Sequence, residues 1–156
     1  NKDYYKASKI VDSVYRDRDS IYVLKGGINE QAIYWEENET LCKFKPDNMK
    51  QESGIVVDIK TTSSAEEALF SYSAKKYGYQ LQAAMGKIAF EYTFRKKLDK
   101  FIFLAVETEK PYCTRIIFAS DQCFDKGTEE FYKLLAIYQD CLDKNEWKTY
   151  DPMYLN

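Results

Sequence analysis

The sequence predicts an α/β domain, with a small mixed central sheet flanked by helices. Two observations carry this. The chain reads in the order helix, three strands, helix, two strands, helix, a mixed order that suits a sheet sandwiched between helices. Its 156 residues, 45% hydrophobic and 31% charged, are enough for one soluble domain with a sizeable core.

The elements follow in order. Residues 3–18 place Ala7, Ile10, Val11, Val14 and Tyr15 at helical spacing, so an amphipathic helix opens the chain. Gly26 and Gly27 mark a turn. Residues 31–37, "QAIYWEE", read as a strand, with a turn at Asn38 and a hairpin partner over 40–46, "TLCKFKP". The polar segment 47–54 reads as a turn, and 55–59 as the next strand. "TSSAEEALFSYS" sets Ser and Thr before acids, a helix start. A longer helix is expected over 76–93, with Tyr79, Ala83, Gly86, Ile88, Ala89 and Tyr92 near one face. Strands over 100–107 and 112–119 precede a helix over 121–142, whose stripe holds Phe124, Phe131, Leu134, Leu135, Tyr138 and Leu142. The tail from Trp147 is expected to be irregular.

Composition excludes several chemistries. With no histidine, Ser-His-Asp, Cys-His and histidine-based metal sites are ruled out, leaving carboxylates, lysine and tyrosine. Cys42, Cys113, Cys123 and Cys141 contain no C-x-x-C pair, which argues against zinc and against a disulfide framework. With no membrane span and no signal peptide, a cytoplasmic location is expected. A net charge of −2 offers no global attraction for nucleic acid, so such a partner needs a local basic patch. The 14 tyrosines are read first as packing, and second as interface or base-stacking surface.

The informative stretch is "GIVVDIKTT", residues 54–62, where a strand rich in β-branched residues ends in Asp58 and Lys60. Residues i and i+2 of a strand share a face, so both charges project together while Ile59 is expected to turn into the core. Asp47 follows a turn proline upstream. If strands 40–46 and 55–60 form a hairpin, Asp47 reaches the Asp58 site only through a bend or skew. Were the two carboxylates to meet, they would suit a hard divalent cation, with the Ile59 backbone carbonyl as a further oxygen. Lys60 beside it can orient an attacking water and stabilise phosphate charge. The bland reading of a D-x-K strand is an ion pair on a solvent face.

Pro46-Asp47, ten residues, then Asp58-Ile59-Lys60 spells the PD-(D/E)xK nuclease signature. The longer pattern "CKFKPDNM … GIVVDIKTTSSAEEALFSYSAKKYGYQLQAAM" resembles the RecE-type exonuclease domain, exodeoxyribonuclease VIII with its phage and prophage relatives. The resemblance spans about residues 26–150, through "FIFLAVET" and "CL…EWKTY". It implies a PD-(D/E)xK, restriction-endonuclease-like core and a Mg²⁺-dependent exodeoxyribonuclease, with Mn²⁺ able to substitute. The implied substrate is linear double-stranded DNA, degraded from 5′ ends for recombination. A homo-oligomer and a single-strand annealing protein are the implied partners. Asp47 and Asp58 become the metal carboxylates, Lys60 the catalytic lysine, and Gln82 the glutamine that organises the site. Thr61 and Thr62 fall near the substrate backbone. Glu30 stands where relatives often carry an acid, its role open.

The chain departs from the family twice. Gly86 replaces the tyrosine four residues after the glutamine, and no histidine is available as the further metal ligand. With Asn1 opening the chain, the expectation is that 1–156 is one nuclease domain lacking an N-terminal segment of its parent. For DNA contact the candidates are Lys43 and Lys45, alternating on the strand before Asp47, and Lys75 and Lys76 before the glutamine helix. Arg95, Lys96, Lys97 and Lys100 read as a solvated helix end. The alternative function is a catalytically impaired, nucleic-acid-binding or structural relative of the same fold. An endonuclease, or a relative whose clustered cysteines hold an iron–sulfur centre, ranks lower because these cysteines do not cluster.

Overall fold

The computed structural model describes residues 2–147 and 149. Helix α1 (Lys2–Arg16) is the one expected over 3–18, and a second helix not expected from the sequence, α2 (Arg18–Leu24), follows it. Asp17 makes the break: its backbone is extended, and its carboxylate caps α2 by accepting the Ser20 N–H at 2.9 Å and the Ser20 hydroxyl at 2.5 Å. The strands and helices that follow are β1 (Ile28–Asn29), β2 (Ile33–Glu37), β3 (Thr40–Phe44), β4 (Asn48–Lys50), β5 (Ile55–Thr62), α3 (Glu67–Lys76), α4 (Tyr79–Phe94), β6 (Lys100–Glu107), β7 (Thr114–Phe118) and α5 (Asp121–Lys144).

One five-stranded sheet runs β1-β4-β5-β6-β7, and β2 and β3 form a separate ribbon. Only β5 and β6 are parallel, joined by a crossover that carries α3 and α4. The expected pairing of 40–46 with 55–60 is therefore replaced. The 40–46 strand pairs only with β2, and the partner of β5 is β4, inside the segment read as a turn. Its polarity misled: Asn48 is fully buried because its amide donates to Leu24 O at 3.1 Å and to Asn29 Oδ1 at 2.7 Å. Only residues 51–54 turn, closing on Gly54 at φ +68°.

The sheet is covered on both faces. Val57, Ile102, Leu104 and Val106 pack with Val23 of α2 and with Ile10 and Val14 of α1. Val56, Phe101, Phe103 and Ala105 face the other way, against Ala83, Ala89 and Phe90 of α4 and Phe131 and Leu135 of α5. Burial on both faces is why "FIFLAV" in β6 reads as an unbroken apolar run. Each large side chain so buried stabilises the fold by about 1.5–3 kcal/mol. The ribbon adds Ile33, Trp35 and Phe44 to the α4-side core.

α4 lies between the sheet and α5, so it is apolar on two sides rather than one. Two glycines permit the close approach. A Cβ on Gly86 would come within 2.5 Å of Phe101 and 2.8 Å of Phe44, and one on Gly127 of α5 within 1.9 Å of the Gln80 carbonyl of α4. The helix expected from residue 62 starts later. Thr62 and Ser64 bond to each other in a turn, and Glu66 caps α3 by accepting the Leu69 N–H at 3.1 Å. Gly78, at φ +66°, separates α3 from α4. Of the tail expected to be irregular, residues 148 and 150–156 lie outside the described residues.

Candidate active site

Asp58 and Lys60 share the face of β5 that looks at α4, opposite Phe103 and Ala105 of β6. This inverts one expectation. Asp58 is 4% exposed, whereas Ile59, expected in the core, is 38% exposed because the cover on its face is spent on Val57 and its neighbours. Lys60 Nζ lies 2.6 Å from Asp58 Oδ2. Gln82, on the first turn of α4, joins the pair. Its Nε2 donates to Asp58 Oδ1 at 2.5 Å, and its Oε1 accepts from Lys60 Nζ at 2.6 Å. Tyr79, one turn before Gln82 on the same helix face, puts its ring 4.8 Å from Lys60 Nζ and stacks on Phe103 at 5.4 Å.

The electrostatics follow from burial. Loss of water pushes the Asp58 carboxyl above its ordinary value, Lys60 pulls it back, and the charge of Asp47 adds to the rise. The Tyr79 hydroxyl is also raised, by burial first and by Asp58 second. A buried ion pair held this way is costly in desolvation, and breaking one partner away leaves the other uncompensated.

Asp47 arrives by register. Asn48 pairs with Val57, and the chain bends at Asp47 immediately before β4, close enough for the Asp47 charge to act on Asp58. Asp47 Oδ2 accepts the Ile59 N–H at 2.5 Å, which ties the end of the β4 pairing to the strand that carries the site. On the far side, the Glu30 N–H donates to the Asp47 carbonyl at 3.2 Å. Glu30 thus borders the site, although its side chain is committed to an ion pair with Lys45, which holds its carboxyl below the ordinary value.

The residues present fit a hard divalent cation. Asp58 lies on β5, and Asp47, at the bend before β4, bonds the N–H of the next residue, Ile59. Asp58 Oδ2 is buried, and its close partner is the Lys60 ammonium at 2.6 Å. Among the described residues no group of three or more His, Cys, Asp or Glu side chains could hold a metal. The set is therefore two carboxylates, with the Ile59 carbonyl as the third oxygen expected from the sequence. One or two carboxylates completed by water and phosphate oxygens is how Mg²⁺ is commonly held.

The candidate DNA contacts do not all converge. Lys43 lies on the outer face of the ribbon, 5.6 Å over the Tyr34 ring, and Lys45 is paired with Glu30. Thr61 is exposed on the Ile59 side of β5, while Thr62 closes the turn with Ser64. Lys75 and Lys76 end α3, and Lys76 Nζ stands 5.2 Å over the Tyr77 ring. Two further residues carry weaker sequence signals, Tyr79 in the site and Glu107 at the strand ends beyond it. Tyr79 is visible on the face of the helix expected over 76–93 and as the i, i+3 partner of Gln82. Glu107 ends β6 and accepts the Ala65 and Cys113 N–H groups at 3.0 Å each, which pulls its carboxyl below its ordinary value and joins the turns at the C-terminal end of the parallel strands. Nothing in its local pattern marks it.

A mixed sheet between helical layers, with two acids, a lysine and a glutamine converging at adjacent strands, has the architecture of a PD-(D/E)xK nuclease fold. The chain belongs to the family described as PDDEXK-like domain of unknown function (DUF3799), which matches residues 1–151. Among solved structures it is similar to a putative exonuclease from Eubacterium rectale, with a TM-score of 0.76 at 17% identity, covering 99% of this chain and 64% of that one. It is also similar to a phage-related exonuclease from Haemophilus somnus 129PT, with a TM-score of 0.51 at 14% identity, covering 88% of this chain and 74% of that one. This chain therefore spans under two thirds of the length of the Eubacterium rectale protein. No protein of curated function matches the sequence. No described helix is long and apolar enough to cross a membrane.

Proposed function

We propose that this domain hydrolyses DNA phosphodiesters as a metal-dependent exonuclease acting on linear double-stranded DNA, in the 5′ to 3′ direction and in the service of recombination. One observation carries the reading: Asp58, Lys60 and Gln82, drawn from β5 and α4, contact one another, and Asp47, just before β4, accepts the N–H of Ile59 between the first two. Asp47 and Asp58 would hold Mg²⁺, or Mn²⁺ in its place, with the Ile59 carbonyl. The cation would supply Lewis-acid charge neutralisation at the scissile phosphate. Lys60, held by Gln82 and backed by Tyr79, keeps an ammonium where an attacking water can be oriented and phosphate charge stabilised. Gln82 keeps both charged partners in one geometry, so neither has to reorganise when substrate arrives.

The protein is read as a homo-oligomer working with an annealing protein, on resemblance to the RecE-type family, and as cytoplasmic. The test is incubation with end-labelled linear duplex DNA and Mg²⁺, beside Lys60→Ala, Asp58→Asn and a metal-free control. Expected is loss of labelled nucleotides from ends that needs metal and disappears in both variants. Intact DNA with wild type in either Mg²⁺ or Mn²⁺ would favour the non-catalytic, nucleic-acid-binding reading.

A further inference from the structure

A cluster of charges and rings reaches from Lys60 to the surface. Lys60 Nζ stands over Tyr79, Tyr79 lies nearly parallel to Phe103 at 26°, and Tyr77 lies nearly parallel to Tyr79 at 25° with centroids 6.3 Å apart. Lys76 Nζ stands over the Tyr77 ring at the exposed end of the cluster. Tyr77 is 64% exposed, so burial does not explain its placement. Its backbone is held: Tyr77 is the C-cap of α3, its N–H donates to Ser73 O at 2.9 Å, and the left-handed Gly78 fixes the corner after it. Lys75 and Lys76 flank it with no acid in the last turn of α3.

We propose that Tyr77 is a nucleobase-stacking platform at the mouth of the site, and that Lys76 takes the phosphate of the nucleotide stacked there. The inference rests on the DNA-hydrolase reading and names the substrate feature that the site would select. A flat π surface is what extends a stack of near-parallel rings, and a nucleotide also brings the anion that draws Lys76 off the tyrosine face. Stacking on an aromatic ring needs a base with a free face. Inside a duplex both faces are covered by neighbouring pairs, so the platform accepts a terminal or frayed base. Recognition of an end would then come from ring geometry beside the catalytic lysine, without any reading of sequence.

The test uses duplex DNA carrying 2-aminopurine either at the terminal position or internally, in metal-free buffer so that no strand is cut. Wild type is expected to quench the terminal probe and leave the internal one unchanged. Tyr77→Ala should abolish the quench and weaken end binding roughly tenfold, with an unchanged melting temperature because the ring is exposed. Tyr77→Trp should keep both quench and affinity. Lys76→Gln should keep the quench and flatten the salt dependence of binding. Equal terminal quenching by wild type and Tyr77→Ala, or an internal probe that responds as strongly, would overturn the platform while leaving the nuclease reading in place. A wild-type protein that neither binds nor cuts DNA would remove both.

Discussion

Gln82 and Asp58 are joined by a 2.5 Å hydrogen bond, and the other end of the same amide accepts from Lys60. One neutral side chain therefore orients a buried anion and its cation at once. The carboxylate sits in a setting that favours its neutral form, so the amide and the ammonium are what keep it usable as an anion.

Gln82→Leu keeps the volume and loses both contacts. Cleavage of linear DNA is expected to fall about 10–100-fold, the range for partners that orient metal ligands. Stability should drop by about 1–3 kcal/mol, because polar groups on Asp58 and Lys60 are left unsatisfied. Initial rates at saturating Mg²⁺ and urea denaturation measure the two effects separately.

Tyr79 acts on Lys60 through its ring, not its hydroxyl. Tyr79→Phe should retain activity, while Tyr79→Leu should lower it by a factor of about 2–30, the equivalent of a cation–π contact of about 0.5–2 kcal/mol. Equal rates in the two variants would mean that the ring has no role in positioning the lysine.

Restoring the family tyrosine at position 86 is expected to harm the protein. Gly86 points at Phe101 and Phe44, and even a methyl group there overlaps both rings. Gly86→Ala should cost about 1–3 kcal/mol, and Gly86→Tyr should prevent a native melting transition. Gly127→Ala should be worse than Gly86→Ala, because its new Cβ meets a backbone carbonyl that cannot rotate away. Thermal denaturation of the single variants orders them.

The Asp17 carboxyl is held below its ordinary value of 3.8, chiefly by the Ser20 hydroxyl, with the Ser20 N–H and Thr114 adding to it. A depressed folded pKa means that the unfolded chain binds the proton more tightly. The stabilisation is therefore complete above the unfolded value and lost as pH falls through the folded one. Asp17→Asn keeps a capping oxygen but not the charge, so it should flatten the pH dependence of stability below about pH 4 and lose at neutrality the part that the charge supplies. Asp17→Ala should cost about 1 kcal/mol at pH 7. Denaturation curves at pH 7 and pH 3 separate the two.

Divalent cation should stabilise the fold through the same two acids. At a Mg²⁺ concentration a hundred times its Kd, the gain is about 2.7 kcal/mol. Chelation should reverse the shift in melting temperature, and Asp47→Asn should remove most of it. A shift that survives in Asp47→Asn would place the cation elsewhere.

Local periodicity was enough to put Asp58 and Lys60 on one face of a strand, Gln82 on a helix, and unbroken apolar residues in β6. These are properties of i, i+2 and i, i+3 spacing, which neighbouring residues impose on themselves. Family resemblance added the grouping of Asp47 with them. What no local pattern decided was how Asp47 gets there. The polar stretch 47–54 reads as a turn, yet three of its residues form the strand that brings the acid beside Asp58. That pairing depends on burial of Asn48 between Leu24 and Asn29, partners distant in sequence. Tertiary contact likewise placed Tyr79 under Lys60, explained Gly86 by the rings it touches, and turned Ile59 outward. A strand's side-chain alternation is written in its own residues, whereas its partner, and the face that receives cover, are chosen by packing between segments that the chain brings together only on folding.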